Sequence, residues 1–222
     1  MLSARLETIV SLIPLGSSVA DVGSDHASVP LRLLSERSVA FVQGIENKPG
    51  PFQVMKEAFE QAKPHGAYAL SLSDGLSQAD RRVDTAVLAG LGGQLIAAIL
   101  KRDLPLHPNI STIIVDPHSE RPFVYRSLME LGFREEASRS LYEDGHYYEV
   151  SRWNKSPGFP PYNDFQLDFG PVALREKPYA WRKFWENETA RLQSILRSLG
   201  ENQKAKKEAL AQQIQRIEEA LR

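Results

Sequence analysis

Carboxylates recur in this chain at the ends of short apolar runs: Asp21 after SVA, Glu46 after FVQGI, Asp74 after ALSLS and Asp116 after TIIV. Runs of that length and β-branched content suit buried strands. Acids ending parallel strands gather at one edge of a sheet, the edge at which α/β proteins bind ligands. The first of them sits in VADVGSDHA, residues 19–27, where a strand feeds a glycine turn into a helix. A dinucleotide site needs G-x-G-x-x-G there, so that a pyrophosphate can rest on bare backbone at the helix N-terminus. Only Gly23 is present, and Asp25 stands where the second glycine belongs. A carboxylate there opposes a diphosphate by roughly 1 to 4 kcal/mol, depending on screening.

The same charges attract a ligand that is cationic at that place. S-adenosylmethionine carries an ammonium and a sulfonium and no phosphate, so Asp21 and Asp25 favour it where they repel NAD. Gly23, Ser24 and His26 complete that turn. Glu46, some 25 residues beyond Asp21 with Asn47 beside it, is placed to accept two ribose hydroxyls, which NAD and adenosylmethionine share. Asp74 can accept an adenine amino group, with Gly75 in the turn and Leu76 covering one ring face; an Asp-Gly turn without a ligand is as common a reading. Gly90-Leu91-Gly92-Gly93 lets backbone approach a ligand at the edge that would face a transferring methyl. Asp25, Gly92 and Asp116 are the catalytic candidates: a carboxylate near a base that becomes cationic stabilises the developing charge, and Gly92 leaves room for the base. Metal ligands are not expected.

Positioning these groups takes a doubly wound sheet. Residues 3–13 read as an amphipathic helix capped by Ser3 and ended by Pro14 and Gly16. Strands are expected at 18–22, 40–47, within AYALSLSDGL from residue 67, and at 83–89 and 112–116, with helices through 30–34, 51–63, 94–102 and 122–131 between them. REEASRSLYEDGHYYEV then reads as two strands around Asp144-Gly145, a strong hairpin signal. An alternating sheet closed by an antiparallel hairpin is the class I methyltransferase layout, α/β and Rossmann-like. Residues 154–161, with four of the chain's prolines and glycines, mark a boundary, giving a cofactor-binding domain at 1–155 and an appendage at 156–222. There Trp185, Leu192, Ile195 and Leu199, then Leu210, Ile214, Ile217 and Leu221, keep heptad-like spacing around Gly200-Glu201-Asn202, the pattern of an antiparallel, coiled-coil-like helical hairpin.

Charge is distributed unevenly. Residues 1–151 carry 14 Lys and Arg against 19 Asp and Glu, a net −5, whereas residues 178–222 carry 9 against 6, a net +3. Arg182, Lys183, Arg191, Arg197, Lys204, Lys206 and Lys207 make the hairpin the basic part, suited to a polyanion or to a solvated packing face. The chain has no cysteine, no apolar run near the 20 residues of a membrane span, and no signal-peptide pattern at its start, so a cytoplasmic protein is expected. Nothing in it fixes an oligomeric state.

The motifs taken together resemble the bacterial tRNA (adenine(22)-N(1))-methyltransferase family, TrmK. The resemblance runs nearly end to end: LSARLETIVSLIP, VADVGSDHA, Glu46-Asn47-Lys48 leading to Gly50-Pro51, SDGL, AGLGG, EDGHYYE, and Phe169-Gly170-Pro171 with Arg175-Glu176-Lys177. It implies an S-adenosylmethionine-dependent Rossmann-like domain, a C-terminal helical hairpin, and methylation of N1 of an adenine in the D-arm of tRNA. Two departures stand out: Asp116-Pro117-His118 where the family usually has a Gln-Pro-Asn-like turn, and an extra Pro49. Substrate contacts are expected from Arg5, His118, Tyr148, Arg182, Lys183, Lys204, Lys206 and Lys207. Arg5 also reads as a surface arginine and His118 as a loop histidine. Of Tyr147 and Tyr148, which alternate in a strand, one at most should meet the base. Competing readings are a methyltransferase for a small molecule or protein, a NAD-dependent dehydrogenase, and a non-catalytic RNA- or protein-binding module.

Overall fold

A computed structural model describes residues 2–24, 26–36, 38–200 and 202–222. Its centre is a seven-stranded sheet in the order β3-β2-β1-β4-β5-β7-β6. The strands are β1 (Ser18–Val22), β2 (Phe41–Glu46), β3 (Ala67–Leu72), β4 (Thr85–Ala89), β5 (Thr112–Asp116), β6 (Phe133–Glu143) and β7 (His146–Lys155). The first five are parallel, and β7 inserts antiparallel between β5 and β6. Order reverses between β1 and β4, the topological switch at which doubly wound sheets open a ligand crevice.

Helices cover both faces because the strands alternate between two apolar sets. Ala20, Val22, Leu88, Ile113 and Val115 point into one cluster with Ile96, Val124 and Trp153. Val19, Val87 and Ile114 point into the other with Ile9, Leu33, Met55 and Phe59. The helices involved are α1 (Ala4–Leu12), α2 (Ser28–Glu36), α3 (Pro49–Ala62), α4 (Gly93–Asp103) and α5 (Arg121–Glu130). Ser3 caps α1 as expected, its hydroxyl accepting from the Leu6 N–H at 3.3 Å. Two boundaries differ from expectation. Pro49 as well as Pro51 lies in the first turn of α3, where a missing N–H costs nothing. β4 starts two residues late because Asp84 turns inward, its carboxylate accepting from the Ser18 N–H at 3.2 Å.

Beyond β7, residues 156–163 are irregular, and the chain then forms α6 (Asp164–Phe169), α7 (Pro171–Glu176), α8 (Tyr179–Ser198) and α9 (Lys204–Leu221). The proline-rich stretch does not end the contact with the sheet. Leu167 belongs to the sheet's own cluster, and the Val172 N–H donates to the buried Glu135 carboxylate at 2.7 Å. α8 and α9 then pack on each other through Trp181, Leu192, Ile214 and Ile217, joined by Phe169 and Ala173. No described helix is long and apolar enough to cross a membrane.

Candidate active site

A cleft of about 460 Å³ opens at the C-terminal ends of β1, β2, β3 and β4. Val22, Gly23, Ile45, Glu46, Asn47, Ser73, Asp74, Gly75 and Gly90 line it, and its volume is that of a small-molecule site. Short backbone bonds hold these strand ends in place: Gly23 N–H to the Ile45 carbonyl at 2.9 Å and Ser73 N–H to that of Glu46 at 2.8 Å. Glu46 lines the cleft, and Asp21, also buried, lies close enough behind it to feel its charge. Burial pushes the Asp21 carboxyl up to about 6; the Ser24 hydroxyl draws it back and the Glu46 charge adds to the rise. Two carboxylates sharing a desolvated place favour a cation there, the sign inferred from the sequence.

The other cofactor candidates fare unevenly. Asp25 lies outside the described residues. His26 is exposed and faces a separate groove with Glu7, Leu31 and Arg32. The Asp74 carboxylate lies at the rim, 2.6 Å from an Arg102 guanidinium nitrogen. Leu76 does not cover a ligand: it is buried in the sheet's core, its N–H held at 2.7 Å by the Asp103 carboxylate. The apolar wall comes instead from Leu91, Leu95 and Ile99, with Lys48 and Pro51 across the cleft. Leu95 is the one of these that sequence could have shown, being a leucine 46% exposed on the outer face of an amphipathic helix.

At the β4 and β5 end the substrate candidates converge. Arg5 Nε donates to the Asp116 carboxylate at 2.5 Å, and the guanidinium carbon lies 5.0 Å from the centre of the Tyr148 ring. Arg5 is therefore not a solvated surface arginine. Burial raises the Asp116 carboxyl, with Arg5 opposing that rise. A side-chain carbon on Gly90, whose φ is +74°, would lie 3.2 Å from the Arg5 guanidinium and 3.7 Å from His118 Nε2. Gly90 thus needs its hydrogen both for its backbone angle and for its neighbours. Gly93, rather than Gly92, is the tight position of the loop: a side chain there would meet the Ser119 carbonyl at 2.5 Å, whereas one on Gly92 comes no closer than 3.9 Å to anything.

Tyr147 faces the opposite side, as alternation requires. It stacks on Phe184 of α8 with centroids 4.2 Å apart and donates to Glu149 at 2.6 Å. Glu149 also accepts from Tyr125 at 3.0 Å and from Arg121, its ion-pair partner. Of the hairpin cations, Arg182 and Lys183 begin α8, and Lys183 lies over the rings of Tyr142 and Tyr179. Lys204, Lys206 and Lys207 form the first turn of α9, which holds no acid. Arg191 is tied to Glu188 at 2.6 Å.

A methyltransferase-domain family matches residues 2–151. The Bacillus subtilis (strain 168) tRNA (adenine(22)-N(1))-methyltransferase is 30% identical over 99% of this chain and 97% of its own. Streptococcus pneumoniae Sp1610 matches at a TM-score of 0.94 with 28% identity over the whole of both chains, and its complex with S-adenosyl-L-methionine at 0.90. M. capricolum TrmK in complex with S-adenosyl-homocysteine matches at 0.86 with 25% identity, again over both whole chains. The fold is thus shared from end to end, and the chain belongs to the tRNA (adenine(22)-N(1))-methyltransferase family.

Proposed function

We propose that this chain transfers a methyl group from S-adenosylmethionine to N1 of adenine 22 of tRNA. The observation that carries the reading is the buried pair of Glu46, in the cleft wall, and Asp21 behind it, in a chain that matches the Bacillus subtilis enzyme through its hairpin as well as its sheet. When bound, the cofactor supplies an electrophilic methyl on a sulfonium. Asp21 holds the cationic amino-acid end, with Gly23 and Ser24 in the turn that follows. Glu46 takes the ribose hydroxyls beside Asn47, and Asp74 with Gly75 borders the adenine, between Leu95 and Ile99. Adenine N1 carries an in-plane lone pair, so no side chain must remove a proton. The protein's task is position, which supplies several kcal/mol as effective molarity.

A sheet domain of net −5 must receive a polyanion, and the hairpin offsets the repulsion. Arg182 and Lys183 stand at its base beside the β6–β7 turn, and Lys204, Lys206 and Lys207 at its tip. The length of α8 from Arg182 to Ser198 separates the two groups by about 24 Å. We keep the division at 155/156 as the functional one, cofactor before it and tRNA after, and assign the protein to the cytoplasm, where its substrate is. Incubation of unmodified tRNA with the protein and labelled S-adenosylmethionine, followed by mapping of the labelled nucleotide by mass spectrometry, tests the reading. A single 1-methyladenine at position 22 is expected; label at another position, or none, would overturn it.

A further inference from the structure

We infer that Asp116 and Tyr148 form the seat of the target adenine and that Arg5 fills this seat until the base displaces it. The inference rests on the reading that the chain methylates an adenine of tRNA. A guanidinium is flat, cationic and lined with N–H donors. Here it lies over the Tyr148 ring at 5.0 Å and gives one of its donors to a carboxylate that is 1% exposed. Adenine methylated at N1 has the same three properties: a flat ring to stack, a positive charge, and an exocyclic nitrogen that donates. A place shaped for one accepts the other.

The seat adjoins the cleft. Gly90 lines the cleft and is the residue whose side-chain position would come within 3.2 Å of the guanidinium, while its N–H donates to the Asp116 carbonyl at 3.0 Å. The Arg5 backbone is fixed, since the Glu143 carboxylate accepts from the N–H groups of Ala4 at 2.5 Å and Arg5 at 3.4 Å. Among the described residues its side chain meets the Asp116 carboxylate and the Tyr148 face, and an incoming phosphate is the kind of group that draws a guanidinium away. With Arg5 withdrawn, Asp116 accepts from the N6 amino group and Tyr148 stacks on the base. The N1–carbon bond then forms as the carbon–sulfur bond breaks, the sulfur keeping the electron pair. The base takes the positive charge beside Asp116, and no proton moves.

Binding of the nucleoside 1-methyladenosine, followed by saturation-transfer NMR with the cofactor site saturated by S-adenosylhomocysteine, tests the seat without relying on turnover. Arg5→Ala should bind it about fivefold or more tighter than the parent, because the nucleoside no longer competes with a charge-assisted bond, and Arg5→Ala with Asp116→Asn should lose that gain. No tightening in Arg5→Ala, or a gain that survives Asp116→Asn, would overturn the inference. A second arm compares tRNA carrying adenine or purine at position 22. Removing the amino group also lowers N1 basicity, so the readout is the change in preference between proteins: Asp116→Ala should lose about tenfold of the parent's preference for adenine, and Asp116→Asn, which keeps an acceptor, should lose less. Equal preference in parent and Asp116→Ala overturns the seat. A parent that methylates no tRNA counts against the proposed function alone and leaves the nucleoside binding to decide the seat.

Discussion

Two buried carboxylates in this molecule live under opposite conditions. Glu149, on β7, accepts from Arg121, Tyr125 and Tyr147 together, and the Tyr147 ring carries the hairpin through Phe184. Asp21, at the end of β1, is as deeply buried but has a second acid, Glu46, beside it and is pushed up to about 6. The first is a finished piece of structure: cation and hydroxyls give both carboxylate oxygens a donor and join two parts of the chain. The second is unfavourable in the protein alone and becomes favourable when a cation arrives. Stability and function are thus assigned to different strands along the same edge of the sheet.

The contrast is broken most severely at Glu149. Replacing it with Ala leaves the Arg121 guanidinium buried without its counter-charge, and urea unfolding should show a loss of about 3–5 kcal/mol. A loss under about 1 kcal/mol would mean that solvent reaches Arg121 and that the hairpin is docked by its apolar contacts alone.

Asp21 should respond with the opposite sign. Its folded value of about 6 lies above the ordinary 3.8, so its contribution to stability is complete below pH 3.8 and is lost as pH rises through 6. Asp21→Asn removes that loss and should stabilise the protein at pH 8 by up to about 3 kcal/mol. Thermal unfolding at pH 4 and pH 8 checks this: the stabilisation should be confined to the higher pH. A variant destabilised at both would show that Asp21 is structural, like Glu149.

Why these two acids differ was only half visible in the sequence. The strand ends were legible because β-branched runs stop at Asp21, Glu46 and Asp116, and the hairpin because its leucines and isoleucines keep their spacing through two helices. Contacts between distant segments were not. Arg5 and Asp116 are separated by 111 positions, and nothing in either segment says that α1 crosses the end of β5. Leu76 follows a turn glycine, the usual place for an exposed residue, yet the Asp103 carboxylate pulls its backbone inward. Alternation put Tyr147 and Tyr148 on opposite faces, but only the helices on each face decide which one docks Phe184 and which lies under Arg5. The prolines of residues 157–161 suggested a domain boundary because Leu167 and Val172, which bind the following helices to the sheet, carry no local mark of doing so.

A smaller effect is expected at the hairpin tip, which should touch neither stability nor the cleft. Changing Lys204, Lys206 and Lys207 together to Glu should weaken tRNA binding about tenfold or more and lower the slope of log affinity against log salt by roughly 2 to 3. Affinity for S-adenosylhomocysteine should not change. Unaltered tRNA binding, measured by filter retention across a salt series, would confine the polyanion contact to Arg182, Lys183 and the sheet.

Whether a cation at Asp21 completes the site is read by calorimetric titration of S-adenosylhomocysteine between pH 5 and pH 8. A bound ammonium favours ionised Asp21, so affinity should rise as pH increases toward about 6 and level off above it. Over this range the rise should be about tenfold at most, because pH 5 lies only one unit below about 6. In Asp21→Asn it should be absent and binding weaker at pH 8. Affinity that is independent of pH in the parent protein, or an Asp21→Asn variant that binds as tightly as the parent at pH 8, would contradict the account.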